Sequence, residues 1–164
     1  MKLYHVNETY LDELRKIEPK IPQIKGSNGT KPRPFVGIIL TINSVNYIAP
    51  LSSQIHNKRT DFKIFAAKGQ NQVAQVATVR TAYMFPIPLE ELQEIDFTQE
   101  QIKDKSYAAL LINEINYIKK EKNSNKLIEL ANKTYEYTVT KRYHFEKFCC
   151  DFLALESHLK SRGA

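Results

Sequence analysis

KPRPFVGIILTINSVNYIAPLSSQIHNKR, Lys31 to Arg59, is the stretch on which the fold turns. Phe35 to Ile42 is a nearly unbroken apolar run, FVGIILTI. Asn43, Ser44 and Val45 interrupt it, and Asn46 to Leu51, NYIAPL, resumes it. Two runs rich in β-branched residues around a short polar break read as a hairpin. The first run lacks polar alternation, so it is expected to be buried on both faces. A hairpin brings its entry and its exit to the same end. The segment before Phe35 carries Lys31 and Arg33, and the segment after Leu51 carries Ser52, Ser53, His56, Lys58 and Arg59. Two hydroxyls, one imidazole and up to four cations are therefore expected around one mouth.

Outward from the hairpin, the chain reads as two halves. Upstream, Lys2–Val6 reads as a strand. Asn7 then caps a helix with a stripe at Tyr10, Leu11, Leu14 and Ile17, which Pro19 and Pro22 stop. The loop from Pro19 to Pro34 holds two glycines, four prolines and no acid, and its cations suit phosphate contacts. Downstream, Asp61–Ala67 and Gln72–Arg80 alternate as strands around a Lys68-Gly69 turn, and Tyr83–Ile87 is another apolar run. Sequential short strands with polar turns imply an antiparallel, strongly curved sheet or small barrel. Beyond it, Thr98-Gln99-Glu100-Gln101 fits a capping box. Three amphipathic helices are expected from stripes at Ala108–Ile118, at Leu127–Tyr135, and at Phe145, Phe148, Cys149, Phe152, Leu155 and Leu159. The expected class is α+β, with a sheet first and helices packed on it second, in a single domain over residues 1–164.

Composition narrows the function. The chain is 42% apolar, enough for a packed core, and its mean hydropathy of -0.44 does not suit a membrane protein. No apolar run approaches the roughly 18 residues a membrane span needs. The opening MKLYHVNETY has no long apolar core, so no secretory signal is expected. The only cysteines, Cys149 and Cys150, are adjacent and read as reduced thiols of a cytoplasmic protein. A net charge of +6 and a pI of 9.2 point to a polyanionic partner. Neither phosphate-binding glycine loop is present, and no HExxH, CxxC or GxSxG motif occurs. The four histidines are scattered, so no metal site and no cofactor are expected.

What remains is the basic mouth. RNA cleavage without metal needs little: the substrate supplies its own 2′-OH nucleophile. The protein must orient that group against the adjacent phosphate, move protons and stabilise charge on phosphorus. Ser53, His56, Lys58, Arg59, Lys31 and Arg33 are the groups available for these roles. Lys20, Lys25, Lys31, Lys58, Arg59, Lys63, Lys68 and Arg80 are the expected RNA contacts. Exposed members of the nine tyrosines and eight phenylalanines are candidates for stacking on unpaired bases. A non-catalytic RNA-binding module with the same mouth is the alternative. A DNA- or protein-directed domain that is only incidentally basic is a third.

The segments Phe35-Val36-Gly37-Ile38-Ile39-Leu40 and Tyr47-Ile48-Ala49-Pro50-Leu51-Ser52-Ser53 resemble the signature of the toxins of type III toxin–antitoxin systems, the ToxN/AbiQ/CptN family. Met1-Lys2-Leu3-Tyr4, Tyr83-Met84-Phe85-Pro86-Ile87 and the helix SYAALLINEINYI are similar to that family too. The resemblance implies a Kid/MazF-like barrel elaborated with helices. It implies a sequence-selective endoribonuclease that cuts without metal, leaving a 2′,3′-cyclic phosphate and a 5′-hydroxyl. It implies a small pseudoknot RNA antitoxin, cut from a repeat precursor by the toxin and closed with it into a cyclic assembly. Cellular and phage RNA would be the substrate, with growth arrest and phage defence the outcome; DNA and membranes would not be partners. The family's catalytic serine falls on Ser53, the hydroxyl before it on Ser52, and its basic residue before the Phe-x-Gly strand on Arg33. The Pro-Lys that often follows the serine is replaced by Gln54-Ile55, so Lys58 or His56 is left to supply that function. Arg33 suits phosphate anchoring rather than proton transfer, and His56 titrates near neutrality.

Overall fold

The structure is a computed structural model that describes residues 1–23 and 31–163. The hairpin is present as strands β2 (Phe35–Ile42) and β3 (Val45–Ser52). Its turn is tighter than the sequence implies: Asn43 and Ser44 both take positive φ, 51° and 65°, and Val45 already belongs to β3. A two-residue turn with both residues left-handed matches the twist of the strands it joins. The expected double-sided burial of β2 is found: Phe35, Val36, Ile39 and Leu40 are all buried. Phe35 and Val36 are neighbours in regular register, so they point to opposite faces and both faces are covered. A bulge follows between Gly37 and Leu40, where Gly37 pairs with Ile48 while Leu40 pairs with the next residue back, Tyr47, and it bends the strand.

β3 is bonded on both edges. One edge carries β2; the other carries the two-residue β6 (Phe85–Pro86) at Tyr47 and Ile48, then β5 (Val73–Arg80) at Leu51 and Ser52. With β1 (Lys2–Val6), β4 (Asp61–Ala67) and β7 (Leu92–Glu94), the antiparallel order is β4-β5-β3-β2-β1-β7, with β6 to the side. Among the described residues no strand joins β4 to β7, so the sheet is open: of the two expected forms, an antiparallel sheet or a small barrel, the barrel does not form. The apolar run at Tyr83–Ile87 is largely not a strand: a single turn at Thr81–Tyr83 precedes β6 and turns the chain from β5 back along β3.

Among the described residues six α-helices complete the α+β fold, and most are C-terminal. They are α1 (Glu8–Arg15), α2 (Phe97–Lys103), α3 (Lys105–Lys119), α4 (Glu121–Val139), α5 (Phe145–Phe148) and α6 (Phe152–Arg162). Asn7 caps α1 as expected, but the helix ends at Arg15 and Ile17 is left exposed. α2 starts earlier than the capping box implies. Asp96, a stronger cap than Thr98, accepts from the backbone N–H of Thr98 and Gln99 at 2.9 and 3.2 Å. The last expected helix is two. Cys149 is extended, Cys150 N–H donates to Ala82 C=O at 2.9 Å, and Asp151 restarts the helix by accepting from Ala154 N–H. Both cysteines are buried free thiols. Burial pushes the Cys149 thiol up to about 11, which keeps it unreactive. Among the described residues no helix is long and apolar enough to cross a membrane.

One apolar core joins sheet and helices. Its polar centre is Glu156 on α6, 5% exposed, whose Oε1 accepts from the hydroxyls of Tyr47 on β3 (2.5 Å) and Tyr135 on α4 (2.8 Å). The Tyr47, Tyr135 and Phe152 rings pack around it with centroids 5.7–5.9 Å apart. A second buried link joins Thr81 to Thr134 of α4, hydroxyl to hydroxyl at 2.7 Å.

Gly37 is required where β2 passes β3. A Cβ there would stand 2.6 Å from Ile48 Cγ2 and 3.3 Å from the Tyr4 ring, both held by packing. Gly37→Ala is expected to lower unfolding stability by about 1–3 kcal/mol, the usual cost of overpacking. Chemical denaturation checks it; an unchanged midpoint would show that β2 and β3 can separate freely at this point.

Candidate functional site

Backbone pairing at the open end of the hairpin builds the site. Phe35 pairs with Pro50, and Leu51 N–H donates to Pro34 C=O at 3.0 Å. Arg33 is thereby held next to Ser52, the last residue of β3. On the other edge Ser52 pairs with Thr78 of β5. Two residues further along β5, on the same face by strand alternation, stands Arg80. The result is a cleft of about 190 Å³ whose polar walls include Lys20, Arg33, Ser52, Gln54, His56 and Arg80, with Tyr83 beside them.

The loop after β3 is fixed by one buried hydroxyl. Thr78 Oγ1 donates to Gln54 C=O (3.0 Å) and accepts from His56 N–H (3.2 Å) and Gln75 Nε2 (3.0 Å). Gln75 Nε2 also donates to His56 C=O at 3.1 Å. Ser52 Oγ accepts from Gln54 N–H at 3.1 Å and lies 3.4 Å from His56 Nε2. Asp61 closes the far end of the loop, accepting from Lys58 N–H at 2.8 Å and from Arg80 Nε at 3.1 Å. Arg80 in turn lies over the Tyr83 ring at 4.7 Å.

The charges favour an anion. Arg33 and Arg80 face one another closely enough that burial and the Arg80 charge both pull Arg33 below its ordinary value. A phosphate between the two guanidiniums would relieve the repulsion. Burial, with Arg80 and Lys58 adding to it and Asp61 opposing, lowers the His56 pKa below 6.5. The ring is therefore neutral near pH 7 and has a nitrogen available to accept a proton.

The structure brings together Arg33, Ser52 and His56 of the expected catalytic residues, with Lys20 and Arg80 of the expected RNA contacts. Ser53 is exposed between two lining residues, and Lys58 is exposed on the same loop. Two cations expected at the mouth are elsewhere. Lys31 pairs with Asp104 and lies 3.9 Å over the Tyr107 ring, in a separate hollow with His5. The acidic N-cap of α3 draws it there. Arg59 turns away to the rings of Phe145 and Tyr143. Lys63 on β4 and Lys68 in the β4–β5 turn do not line the cleft, and Lys25 lies outside the described residues. Gln54, Gln75, Thr78 and Tyr83 do not emerge from sequence reading. Only Thr78 carried a signal, its spacing of two from Arg80. Among the described residues no three His, Cys, Asp or Glu side chains converge as metal ligands.

Comparison with known proteins matches the sequence to a family. The family described as toxin ToxN of type III toxin–antitoxin systems matches residues 2–160. Endoribonuclease ToxN of Bacillus thuringiensis subsp. kurstaki is 29% identical over 161 residues, covering 94% of this chain and 80% of its own. Endoribonuclease AbiQ of Lactococcus lactis subsp. lactis is 27% identical over 170 residues, covering 96% and 86%. A solved toxin from a bacterial type III system, selectively inhibited by a non-coding RNA pseudoknot, superposes with a TM-score of 0.85 at 24% identity, covering 99% and 97%. The lactococcal anti-phage AbiQ structure gives 0.80 at 23%, with the same coverage.

The His56 environment gives a direct test. In an NMR titration His56 is expected to half-protonate below pH 6.5, and Arg80→Ala to move that midpoint upward, because it removes a repelling cation and frees Asp61. A midpoint unmoved by Arg80→Ala would rule out Arg80 as a cause and leave burial and Lys58.

Proposed function

Because this chain belongs to the ToxN family of type III toxin–antitoxin toxins, we propose that it is a metal-independent endoribonuclease whose cutting site is the cleft at the end of β3. The observation that carries this reading is the meeting of Arg33, Arg80, Ser52 and neutral His56 in one cleft. Arg33 and Arg80 grip the non-bridging oxygens of the scissile phosphate, and their charge offsets the charge that builds on phosphorus. The Ser52 and Ser53 hydroxyls hold the phosphate and the 2′-OH in line. His56 takes the 2′-OH proton as that oxygen attacks phosphorus. The bond to the 5′-oxygen breaks, and the ammonium of Lys58 on the same loop supplies its proton. The products are a 2′,3′-cyclic phosphate and a 5′-hydroxyl.

Two of these roles depend on local geometry more than on residue type. Ser52 is buried and bonded to its own loop, so it acts as a fixed strut. Ser53 is exposed and has its hydroxyl available to RNA. By family, the toxin is held by a small pseudoknot RNA, which it cuts from a repeat precursor and with which it closes into an assembly. Release would turn it on cellular and phage RNA, arresting growth and limiting phage. The basic surface of the chain, net +6, fits such a partner.

The test is cleavage of a mixed cellular RNA in EDTA, with mapping of the new ends. Discrete cuts ending in 2′,3′-cyclic phosphate are expected. Ser53→Ala and Arg33→Ala should each slow cutting by about 10² or more, and Ser53→Ala should leave RNA affinity nearly unchanged. Salt-sensitive binding without any cuts would instead favour a non-catalytic RNA-binding module.

A further inference from the structure

Behind the cleft loop lies a second cationic hollow, of about 350 Å³. Its walls are aromatic. Tyr137 packs against Tyr143 at 5.1 Å and against Phe145 at 5.3 Å, both edge-on. Arg59 lies over Phe145 at 5.2 Å and over Tyr143 at 5.8 Å, and Lys133 lies over Tyr137 at 5.6 Å. Arg142 adds another cation at 5.8 Å from Tyr137. Glu136 stands 3.9 Å from Arg142, and both are more than half exposed. Cations thus outnumber acids around a set of rings.

Two features set Tyr143 apart from core aromatics. Its side chain is 60% exposed, the largest exposure of any aromatic among the described residues' exposed apolar side chains. Its backbone is also left-handed, with φ 53° and ψ 27°, between Lys141 at φ 56° and His144 at φ 63°. None of these three is glycine, and each such residue costs about 1–2 kcal/mol. Strain of this kind is kept where a segment must present a particular group. Arg59 clasps the loop by donating from Nη2 to Tyr143 C=O at 3.5 Å, which leaves most of its N–H donors for another acceptor.

We propose that this hollow is a nucleotide subsite: an unpaired base of the bound RNA stacks on Tyr143, and Arg59 and Lys133 hold its phosphate. The proposal rests on the RNA-binding reading above and adds where a flanking nucleotide is gripped. An exposed ring beside cations is the arrangement that binds single-stranded RNA, because every base has a face to stack. The two sites share a loop. His56 faces the cleft and Arg59 faces the hollow, three residues apart, so their backbones are separated by at most about 11 Å. A base held on Tyr143 therefore belongs to a nucleotide close to the cut, and the subsite sets where the strand is placed in the cleft.

The test uses a short 2′-O-methyl oligo-adenylate containing 2-aminopurine, which cannot be cut by 2′-OH attack. Wild type and Tyr143→Phe are expected to bind it and quench the 2-aminopurine. Tyr143→Ala is expected to bind about tenfold more weakly and to lose the quenching, and Arg59→Ala to bind more weakly with a shallower salt dependence. The exposure of Tyr143 makes loss of folding no explanation, and far-UV circular dichroism checks this. Tyr143→Ala binding and quenching like wild type would overturn the subsite. The cleavage reading fails separately: Tyr143-dependent quenching with unmodified RNA left uncut would keep the subsite and reject the nuclease.

Discussion

Everything near the cleft depends on β3 being bonded along both edges. A strand with a partner on one side can slip; β3 is held by β2 on one side and by β6 and β5 in turn on the other. Its last residue, Ser52, is consequently fixed between Arg33 and Thr78. The close pass at Gly37 sets the depth of this packing, since any side chain there would push β2 away from Ile48. Rigidity at Ser52 has a chemical use: a hydroxyl or cation misplaced by an ångström loses much of its effect on a transition state.

The helices act on the site through buried polar links. Glu156 ties Tyr47 of β3 to Tyr135 of α4, and Thr134 ties α4 to the turn after β5. The hydroxyls of Tyr47, Tyr135, Thr81 and Thr134 are all partnered in these links, and such networks select one arrangement of strands and helices over near alternatives. The loop from Ser53 to Thr60 hangs from this frame by Thr78 and Asp61. It carries His56 inward and Arg59 outward, so one loop serves both the cleft and the aromatic hollow.

The hairpin is legible in the sequence because an eight-residue apolar run, a polar break and a second apolar run allow few other folds. The convergence of Arg33 with Ser52 and His56 follows directly from it. Lys31 and Arg59 flank the same hairpin, yet leave the mouth, because Asp104 and the rings of Phe145 and Tyr143 offer them nearer partners. Those partners are 73 and more than 80 residues distant in sequence, beyond any local pattern. The break at Cys149 is hidden for a similar reason. The apolar stripe runs on through it, while the bond from Cys150 to Ala82 that ends the helix is long-range. Asp96 displaces Thr98 as a cap by a difference of only two residues, the usual limit of boundary reading. The openness of the sheet could not be read from strand patterns, since alternation reports which face is buried and not whether two edge strands meet.

Among the described residues the cleft cation left without an acidic partner is Arg33: Asp61 pairs with Arg80 at 3.1 Å and Glu18 with Lys20 at 3.5 Å. The missing negative charge is what a phosphate would bring. The most direct measurement is therefore the position of the scissile phosphate in a crystal structure of the protein bound to RNA carrying a 2′-O-methyl group at the cut. The expected position is between the Arg33 and Arg80 guanidiniums, with the blocked 2′-oxygen facing His56 and a serine hydroxyl at hydrogen-bond distance. A phosphate seated instead in the Lys31–Tyr107 hollow, with the cleft empty of RNA, would contradict it.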